Sequence, residues 1–285
     1  MPEIRSVGVV GAGTMGLGIA QVCGLYGFET LLFDISQEQL DRAFHAIDSN
    51  LSKNVEKGRL TEKNKTIALS RIQAIGKLSQ MKADLIIEAA VEKLEIKKEL
   101  FTELERINGG DAILASNTSS ISIGAIAKAL KDPSSCIGLH FFNPADRMKL
   151  MEIISGPKTR PALVETLKSF AAAIDKVAVI AKDSPGFIVN RVARHFYVES
   201  LKLLEAKAGD VQAIDTLLRS AGFRMGPFEL MDLIGVDTNL AVTTSVFEGF
   251  GRAHKFAPSR IQQQLVSEGR CGRKTGRGFY DYEAT

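Results

Sequence analysis

The sequence predicts an α/β chain in which a doubly wound, mostly parallel sheet is followed by an all-helical C-terminal domain. Between residues 4 and 180, short apolar runs alternate with segments of helical periodicity, the pattern of a parallel sheet with helices on both faces. A glycine-rich turn directly follows the first apolar run. Beyond residue 184 helical periodicity continues to residue 270 without further convincing strands. We therefore expect two domains, residues 1–184 and 185–285.

The apolar runs have the length and composition of strands buried on both faces. They predict seven strands, at residues 7–10, 29–33, 84–88, 112–115, 136–142, 150–154 and 177–180. In the second domain, only residues 278–282 suggest a strand.

Helices are predicted between these strands. The first covers residues 14–27. Ser36 and Gln39 resemble a capping box at the start of the second, which ends near Gly58. Its apolar residues share one face, namely Leu40, Ala43, Phe44, Ile47, Leu51 and Val55. Another helix is predicted at residues 93–107, and turns in the C-terminal domain are indicated at residues 209–210, 222 and 226–227.

Composition excludes several classes of function. A net charge of +3 over 285 residues gives no case for nucleic-acid binding, and no apolar stretch reaches the length of a membrane span. The three cysteines are far apart, which argues against a disulfide framework or a metal site and for a reducing, cytoplasmic compartment. The N-terminus shows no secretory signal or transit peptide.

The glycine-rich turn fits the pattern G-x-G-x-x-G with Gly11, Gly13 and Gly16. In a strand–turn–helix context these glycines allow a tight turn, close approach of a pyrophosphate and close packing of helix on strand. Asp34 ends the next strand, where a carboxylate binds the adenosine ribose hydroxyls and repels a 2′-phosphate. The segment therefore predicts a Rossmann-type domain that binds NAD. The alternative is a turn that binds nothing and an Asp34 that caps the following helix.

Three polar residues lie at or near the ends of predicted strands: Ser119, His140 and Glu152. The carboxyl ends of parallel strands converge on one crevice, so these side chains are expected to meet there. A histidine oriented by a carboxylate is suited to proton transfer near neutral pH. The alternatives are a packed strand-end histidine bonded to a backbone carbonyl, and a Ser119 that caps a helix beginning near Ser122.

The whole chain resembles the L-3-hydroxyacyl-CoA dehydrogenase family, with the stand-alone bacterial 3-hydroxybutyryl-CoA type as the most similar. The resemblance rests on seven motifs, at residues 10–16, 88–92, 116–120, 138–144, 183–191, 226–232 and 272–280. It implies NAD as cofactor, an acyl-CoA thioester as substrate and a homodimer formed by the C-terminal domain, which also closes the substrate cleft.

The resemblance also implies roles for individual residues. His140 matches the catalytic base and Glu152 the acid paired with it, while Ser119 and Asn190 match residues that contact the reacting part of the substrate. The matched cofactor positions are Gly11, Gly13, Thr14, Met15, Gly16, Asp34, Glu92, Lys97, Asn117, Ser119, Asn143 and Lys274. Coenzyme A contacts fall on Ser52, Lys53 and Lys57, with looser correspondence.

Some of these residues have simpler explanations. Asn190 fits a solvent-facing position in the first turns of a helix, although asparagine is a poor helix former. The basic cluster around Lys53 and Lys57 fits a solvated helix face, and charge alone favours that interpretation.

The sequence thus predicts reversible, NAD-dependent oxidation of an (S)-3-hydroxyacyl-CoA, of short chain, to the 3-ketoacyl-CoA. A dehydrogenase of a free hydroxy acid such as L-gulonate, on the same scaffold, is one alternative. A non-catalytic NAD-binding protein with a regulatory or structural role is another.

Overall fold

The computed structural model describes residues 3–282. Its chain divides between Asp183 and Ser184 into two compact units. In the described residues, no helix is long and apolar enough to cross a membrane, and no group of three or more His, Cys, Asp or Glu side chains is placed to hold a metal ion.

The first unit is built on one eight-stranded sheet. Its strands are β1 (Ser6–Val10), β2 (Glu29–Phe33), β3 (Ile72–Ala74), β4 (Leu85–Glu88), β5 (Ile113–Ser116), β6 (Cys136–Phe141), β7 (Leu150–Ser155) and β8 (Val177–Lys182). Their order across the sheet is β3-β2-β1-β4-β5-β6-β7-β8. Adjacent strands are parallel except for β6 and β7, which are antiparallel. The predicted Rossmann-type, mostly parallel sheet is confirmed.

Helices connect these strands. They are α1 (Thr14–Leu25), α2 (Gln37–Glu56), α3 (Glu62–Ser70), α4 (Leu94–Asn108), α5 (Ile123–Ala127) and α6 (Pro161–Ala173). Ser36 caps α2 by accepting a hydrogen bond from Gln39 N, as the sequence predicts. The apolar face of α2 packs into the main core through Leu40, Ala43, Ile47 and Leu51, together with buried residues of β1, β2 and α1.

Helix α3 and strand β3 were not predicted, and no bounds were predicted for α6. Helix α3 is short and buries Ala68 alone, and the three-residue strand β3 buries only Ile72, so neither presents a clear apolar pattern. Strand β3 nevertheless completes the edge of the sheet beside β2.

The second unit is helical. It contains α7 (Val189–Glu205), α8 (Val211–Ser220), α9 (Pro227–Ile234), α10 (Val236–Gly249) and α11 (Arg260–Ser267). A separate small core joins Tyr197, Leu201, Ile214, Phe228 and Met231. The strand suggested at residues 278–282 was a wrong prediction: this segment forms bends with isolated bridges at Arg277, and the Asp232 carboxylate holds it through Phe279 N and Tyr280 N.

Candidate active site

The glycine loop between β1 and α1 has the shape required to admit a phosphate group. Gly11 has φ +100°, and a Cβ there would lie 2.7 Å from the Ala89 carbonyl oxygen. A Cβ on Gly16 would lie 1.7 Å from the Gly11 oxygen, so α1 can approach the loop only without a side chain. A Cβ on Gly13 would meet no atom within 4 Å, and α1 begins without a side-chain cap. Open space at a helix N-terminus fits the pyrophosphate of a dinucleotide.

Asp34 lies directly after β2 and holds the glycine loop. Its Oδ2 accepts a hydrogen bond from Ala12 N at 2.8 Å, and its Oδ1 accepts one from Ser36 N at 3.0 Å. Because Ser36, rather than Asp34, caps α2, the alternative role of Asp34 as the helix cap is wrong. The carboxylate is partly exposed and retains acceptor capacity for ribose hydroxyls. Thr14 and Met15 form the first turn of α1 beside it.

His140 and Glu152 face each other across an antiparallel pair. They are register partners in β6 and β7, and the His140 Nδ1 lies 2.8 Å from the Glu152 Oε2. His140 is 6% exposed and Glu152 is fully buried. The His140 ring also packs on Phe142, with ring centroids 4.5 Å apart. This geometry fixes the plane of the imidazole and favours a proton on Nδ1.

The reason that these two side chains meet differs from the one predicted. The sequence argument placed both at the converging ends of parallel strands. Instead, β7 runs opposite to β6 and presents Glu152 as a direct cross-strand neighbour. The connection between Phe141 and Leu150 is too short for a crossover between parallel strands, a signal that could have predicted the reversal.

The segment after β5 carries Asn117 and Ser119 to the same edge of the sheet. Asn117 Oδ1 accepts a hydrogen bond from Phe141 N at 2.8 Å, which ties this segment to the residue after His140. Ser119 N donates to Glu92 Oε1 at 3.2 Å. Ser122, not Ser119, caps α5 by accepting from Ala125 N, so the proposed capping role of Ser119 is wrong.

Glu92 is held in a carboxylate form by its neighbours. Burial raises the pKa of its carboxyl, but the Lys97 charge and hydrogen bonds from Thr118, Lys97 and Ser119 outweigh that effect and lower the pKa below its usual value. The Lys97 ammonium lies 3.2 Å from Glu92 and 2.6 Å from Glu88, and its side chain is only 1% exposed. Lys97 is therefore a buried partner of two carboxylates rather than a surface cation.

The residues implied to contact coenzyme A lie at the C-terminal end of α2, with Lys57 as its C-cap. Lys53 and Lys57 are exposed, and Ser52 accepts a hydrogen bond from Lys65 Nζ at 2.8 Å. Lys65 also pairs with Asp48 at 2.9 Å, which fixes α3 against α2. Lys65 therefore has a structural role, whereas the two exposed lysines are available to an anionic ligand.

Three further predicted residues have distinct positions. Asn143 is exposed in the loop after β6. Asn190 and Lys274 belong to the second unit. Asn190 lies in the first turn of α7, and Lys274 Nζ donates to Asp237 Oδ2 at 2.6 Å.

Sequence reasoning missed several residues that organise this site. Glu88 and Ser116 end β4 and β5 as paired, buried polar residues, and Lys176 donates to the backbone oxygens of Ala145 and Met148 in the loop after β6. A glutamate that ends an otherwise apolar strand was a visible signal for Glu88. Lys176 lies in the short connection between α6 and β8 and gave no comparable signal.

Fold and site together define a class of protein: an α/β chain with a dinucleotide-binding loop and a carboxylate-oriented histidine at one edge of its sheet. Residues 6–184 match the model of the 3-hydroxyacyl-CoA dehydrogenase NAD binding domain, and residues 186–282 match that of the 3-hydroxyacyl-CoA dehydrogenase C-terminal domain. The chain therefore belongs to the 3-hydroxyacyl-CoA dehydrogenase family, as the sequence motifs predict.

Named relatives agree with this assignment. The chain is 46% identical over 286 residues to 3-hydroxyadipyl-CoA dehydrogenase of Escherichia coli, covering 100% of this chain and 60% of the relative. It is 44% identical to 3-hydroxybutyryl-CoA dehydrogenase of Bradyrhizobium diazoefficiens, covering 98% and 96% of the two chains. The present chain thus spans about three fifths of the E. coli relative and nearly the full length of the second.

Solved structures share the fold. The crystal structure of 3-hydroxybutyryl-CoA dehydrogenase from E. coli superposes with a TM-score of 0.96 at 46% identity, covering 100% of this chain and 61% of that one. The (S)-3-hydroxybutyryl-CoA dehydrogenase of Ralstonia eutropha superposes with a TM-score of 0.95 at 36% identity, covering 99% and 100%.

Proposed function

We propose that this protein catalyses the reversible, NAD-dependent oxidation of an (S)-3-hydroxyacyl-CoA to the corresponding 3-ketoacyl-CoA. The observation that carries the proposal is the buried His140–Glu152 pair, with 2.8 Å between Nδ1 and Oε2, at the same edge of the sheet as the glycine loop. Family membership supplies the substrate class.

The proton transfer follows from the orientation of the imidazole. Glu152 accepts the Nδ1 hydrogen, so Nε2 is the basic nitrogen that removes the proton of the substrate hydroxyl. As the imidazolium forms, the Glu152 carboxylate stabilises its charge. In the reverse direction the same nitrogen protonates the alkoxide that forms at C3. When bound, NAD would supply the acceptor for the hydride that leaves C3.

Ser119 and Asn190 align the substrate in this proposal. The Ser119 hydroxyl donates to the oxygen on C3, where negative charge develops, and the Asn190 amide holds the substrate oxygens. Donors placed before the reaction stabilise developing charge without reorganisation. Glu92 holds Ser119 in place by accepting a hydrogen bond from the Ser119 backbone N–H.

Cofactor contacts are proposed from the family resemblance, and the geometry of the glycine loop supports those to the pyrophosphate. The residues Gly11, Gly13, Thr14, Met15 and Gly16 surround the pyrophosphate, and Asp34 binds the ribose. Glu92, Lys97, Asn117, Asn143 and Lys274 surround the nicotinamide half. Because Lys97 is buried, we infer that it acts through Glu92.

Lys53 and Lys57, with Ser52 beside them, are proposed to bind coenzyme A. Their exposure on α2 supports a contact with its phosphates. This feature also separates a thioester from a free hydroxy acid. Replacing both lysines by Ala should raise KM for the CoA thioester, whereas an unchanged KM would favour a free hydroxy acid such as L-gulonate as the substrate.

The central experiment is a chain-length series of 3-ketoacyl-CoA thioesters with NADH, followed at the nicotinamide absorbance. We propose a short-chain preference and expect the highest kcat/KM with acetoacetyl-CoA. The series should include a six-carbon thioester with a terminal carboxylate, because the E. coli relative is named for 3-hydroxyadipyl-CoA. Absence of NADH oxidation with every thioester would instead favour a non-catalytic NAD-binding protein.

We further propose a homodimer formed by the helical unit. Exposed large apolar side chains support it: this unit exposes Ile188, Val192, Leu203, Leu217, Phe223, Leu233 and Ile234. A cytoplasmic, reducing compartment is proposed from the thiols of Cys23, Cys136 and Cys271, none of which forms a disulfide.

A further inference from the structure

The buried Lys97 ammonium is shared between two carboxylates. Its Nζ lies 2.6 and 2.8 Å from the two oxygens of Glu88 and 3.2 Å from Glu92 Oε2. An ammonium has three hydrogens, so these contacts engage its full donor capacity. The Lys97 and Glu88 side chains are 1% and 0% exposed, whereas that of Glu92 is 41% exposed. The buried Glu88–Lys97 pair therefore holds the partly exposed carboxylate of Glu92 in place.

Glu88 is itself fixed by the sheet. Its Oε1 accepts a hydrogen bond from Ala90 N at 2.7 Å, and its Oε2 accepts one from Ser116 Oγ at 2.6 Å. Glu88 and Ser116 are register partners at the ends of β4 and β5. The location of the Lys97 ammonium is thus determined by two adjacent strands rather than by a loop.

Glu92 extends this arrangement to the segment that carries Ser119. While Oε2 is held by Lys97, Oε1 accepts hydrogen bonds from Thr118 Oγ1, from Ser119 N at 3.2 Å and from Ser120 Oγ at 3.2 Å. A continuous set of contacts therefore runs from the end of β4 to the backbone of Ser119.

We propose that Glu88 is a positioning residue that sets the location of Ser119 through Lys97 and Glu92. The inference rests on the proposed function, in which Ser119 binds the reacting oxygen. Glu88 occupies two of the three ammonium hydrogens and leaves one for Glu92, so Glu92 Oε1 remains directed at Ser119 N. Without the Glu88 charge, Lys97 faces a single carboxylate and draws both Glu92 oxygens toward itself. Ser119 then loses its acceptor.

The test compares Glu88→Gln with wild type, using acetoacetyl-CoA and NADH. We expect kcat to fall at least about tenfold, the fold-change of one modest transition-state contact of about 1.4 kcal/mol, while KM for the thioester changes less than about threefold. NADH affinity, measured by fluorescence titration, should fall by a smaller factor than kcat, because the glycine loop and Asp34 are untouched and only the proposed nicotinamide contact of Glu92 is displaced. Glu88→Asp retains the charge and should recover part of the lost kcat.

Glu105→Gln is the matched control. Glu105 is also buried, at 8% exposure, and its carboxylate accepts hydrogen bonds from Lys131 N and Asp132 N at 2.9 and 2.8 Å. Loss of that charge should lower the thermal unfolding midpoint and leave kcat within about twofold, because the Glu105 carboxylate accepts from Lys131 N and Asp132 N rather than from Lys97. A merely structural Glu88 would behave in the same way.

The double variant Glu88→Gln/Lys97→Met separates stability from positioning. It removes both buried charges, so it should be more stable than Lys97→Met, which leaves the Glu88 carboxylate without its cation. Its kcat should nevertheless stay low, since Glu92 has lost its anchor. If the wild-type protein is active and either Glu88→Gln or the double variant has the same kcat as wild type, the positioning role of Glu88 is overturned. The proposed function is then unaffected. A wild type inactive on every thioester overturns the proposed function and, with it, this inference.

Discussion

At the scale of single residues, the His140–Glu152 pair has a simple physical basis. The two side chains are register partners, so the sheet itself holds their backbones at a fixed separation. Both are buried, which strengthens the charge-assisted hydrogen bond that forms when the imidazole is protonated. Because His140 lies on a strand rather than in a loop, its side chain needs little rearrangement to act as the proposed base. Its Nε2 therefore keeps a constant direction.

The pair can be tested by two conservative changes. His140→Gln removes the proposed base, and Glu152→Gln removes the charge proposed to orient it. We expect each variant to lower kcat by about 10²- to 10⁴-fold, the range of general acid–base catalysis. NADH affinity should stay near the wild-type value because neither residue belongs to the glycine loop. Steady-state rates with acetoacetyl-CoA, together with NADH fluorescence titrations, measure both quantities; wild-type kcat in either variant would refute the assignment.

Asp34 should determine the choice between NAD and NADP. Its carboxylate repels a 2′-phosphate, and Asp34→Ser removes that repulsion while keeping a hydroxyl near Ala12 N and Ser36 N. We expect the ratio of kcat/KM for NADH to that for NADPH to fall by about tenfold or more, which corresponds to about 1.4 kcal/mol. Asp41→Ser, in the same α2 region but bonded to Gln37, is the control and should not alter the ratio. An unchanged ratio in Asp34→Ser would show that Asp34 does not contact the ribose.

At the scale of secondary-structure elements, the sequence predicts the main sheet well because its central strands are buried on both faces. The runs that become β1, β4 and β6 contain almost no polar residues, and burial alone explains such composition. Element β3 and helix α3 lie at the edge and bury one residue each, so their local patterns are weak. The reversed direction of β7 was missed for a different reason. Apolar periodicity carries no information on strand direction, whereas the length of a connection between strands does.

The candidate site was predicted to a similar extent. Residues with distinctive chemistry, such as His140 and the three loop glycines, could be recognised from their type and spacing. Glu88 could not be assigned a role, because its partners Lys97 and Ser116 are brought to it from α4 and β5 by the fold. Buried polar networks of this kind depend on tertiary contacts that no local pattern contains.

The β1–α1 turn allows a prediction that separates binding from folding. A Cβ at Gly13 meets no atom within 4 Å, whereas a Cβ at Gly16 would lie 1.7 Å from the Gly11 oxygen. The Gly13→Ala variant should therefore fold normally. Its NADH binding should be weaker, because the added methyl group occupies the space proposed for the pyrophosphate. Gly16→Ala should cost about 1–3 kcal/mol of stability, as overpacked sites do. Urea unfolding and NADH titration measure the two effects; equal stability loss in both variants would contradict this interpretation.

At the scale of the whole molecule, the two units differ in what they expose. Among the described residues, seven of the fifteen exposed large apolar side chains belong to the helical unit, and the other eight are spread over the much longer sheet-containing unit. Surfaces of this kind mark contacts with other proteins when the side chains form contiguous patches. A second copy of the chain is the simplest partner, because symmetric dimers are the commonest oligomers.

The proposed dimer predicts a specific effect of charge on the helical unit. Val192 on α7 is 67% exposed, so Val192→Glu should leave the fold intact while placing a charge in the proposed interface. We expect wild type to have twice the mass of one chain in light scattering, and Val192→Glu to shift toward the single-chain mass on dilution. Val177→Glu introduces the same charge at a similar exposure, 61%, on β8 of the first unit and should remain dimeric. If both variants dissociate equally, or neither does, the interface does not include this face of α7. If wild type itself has the mass of one chain, the exposed apolar side chains of the helical unit require a different partner.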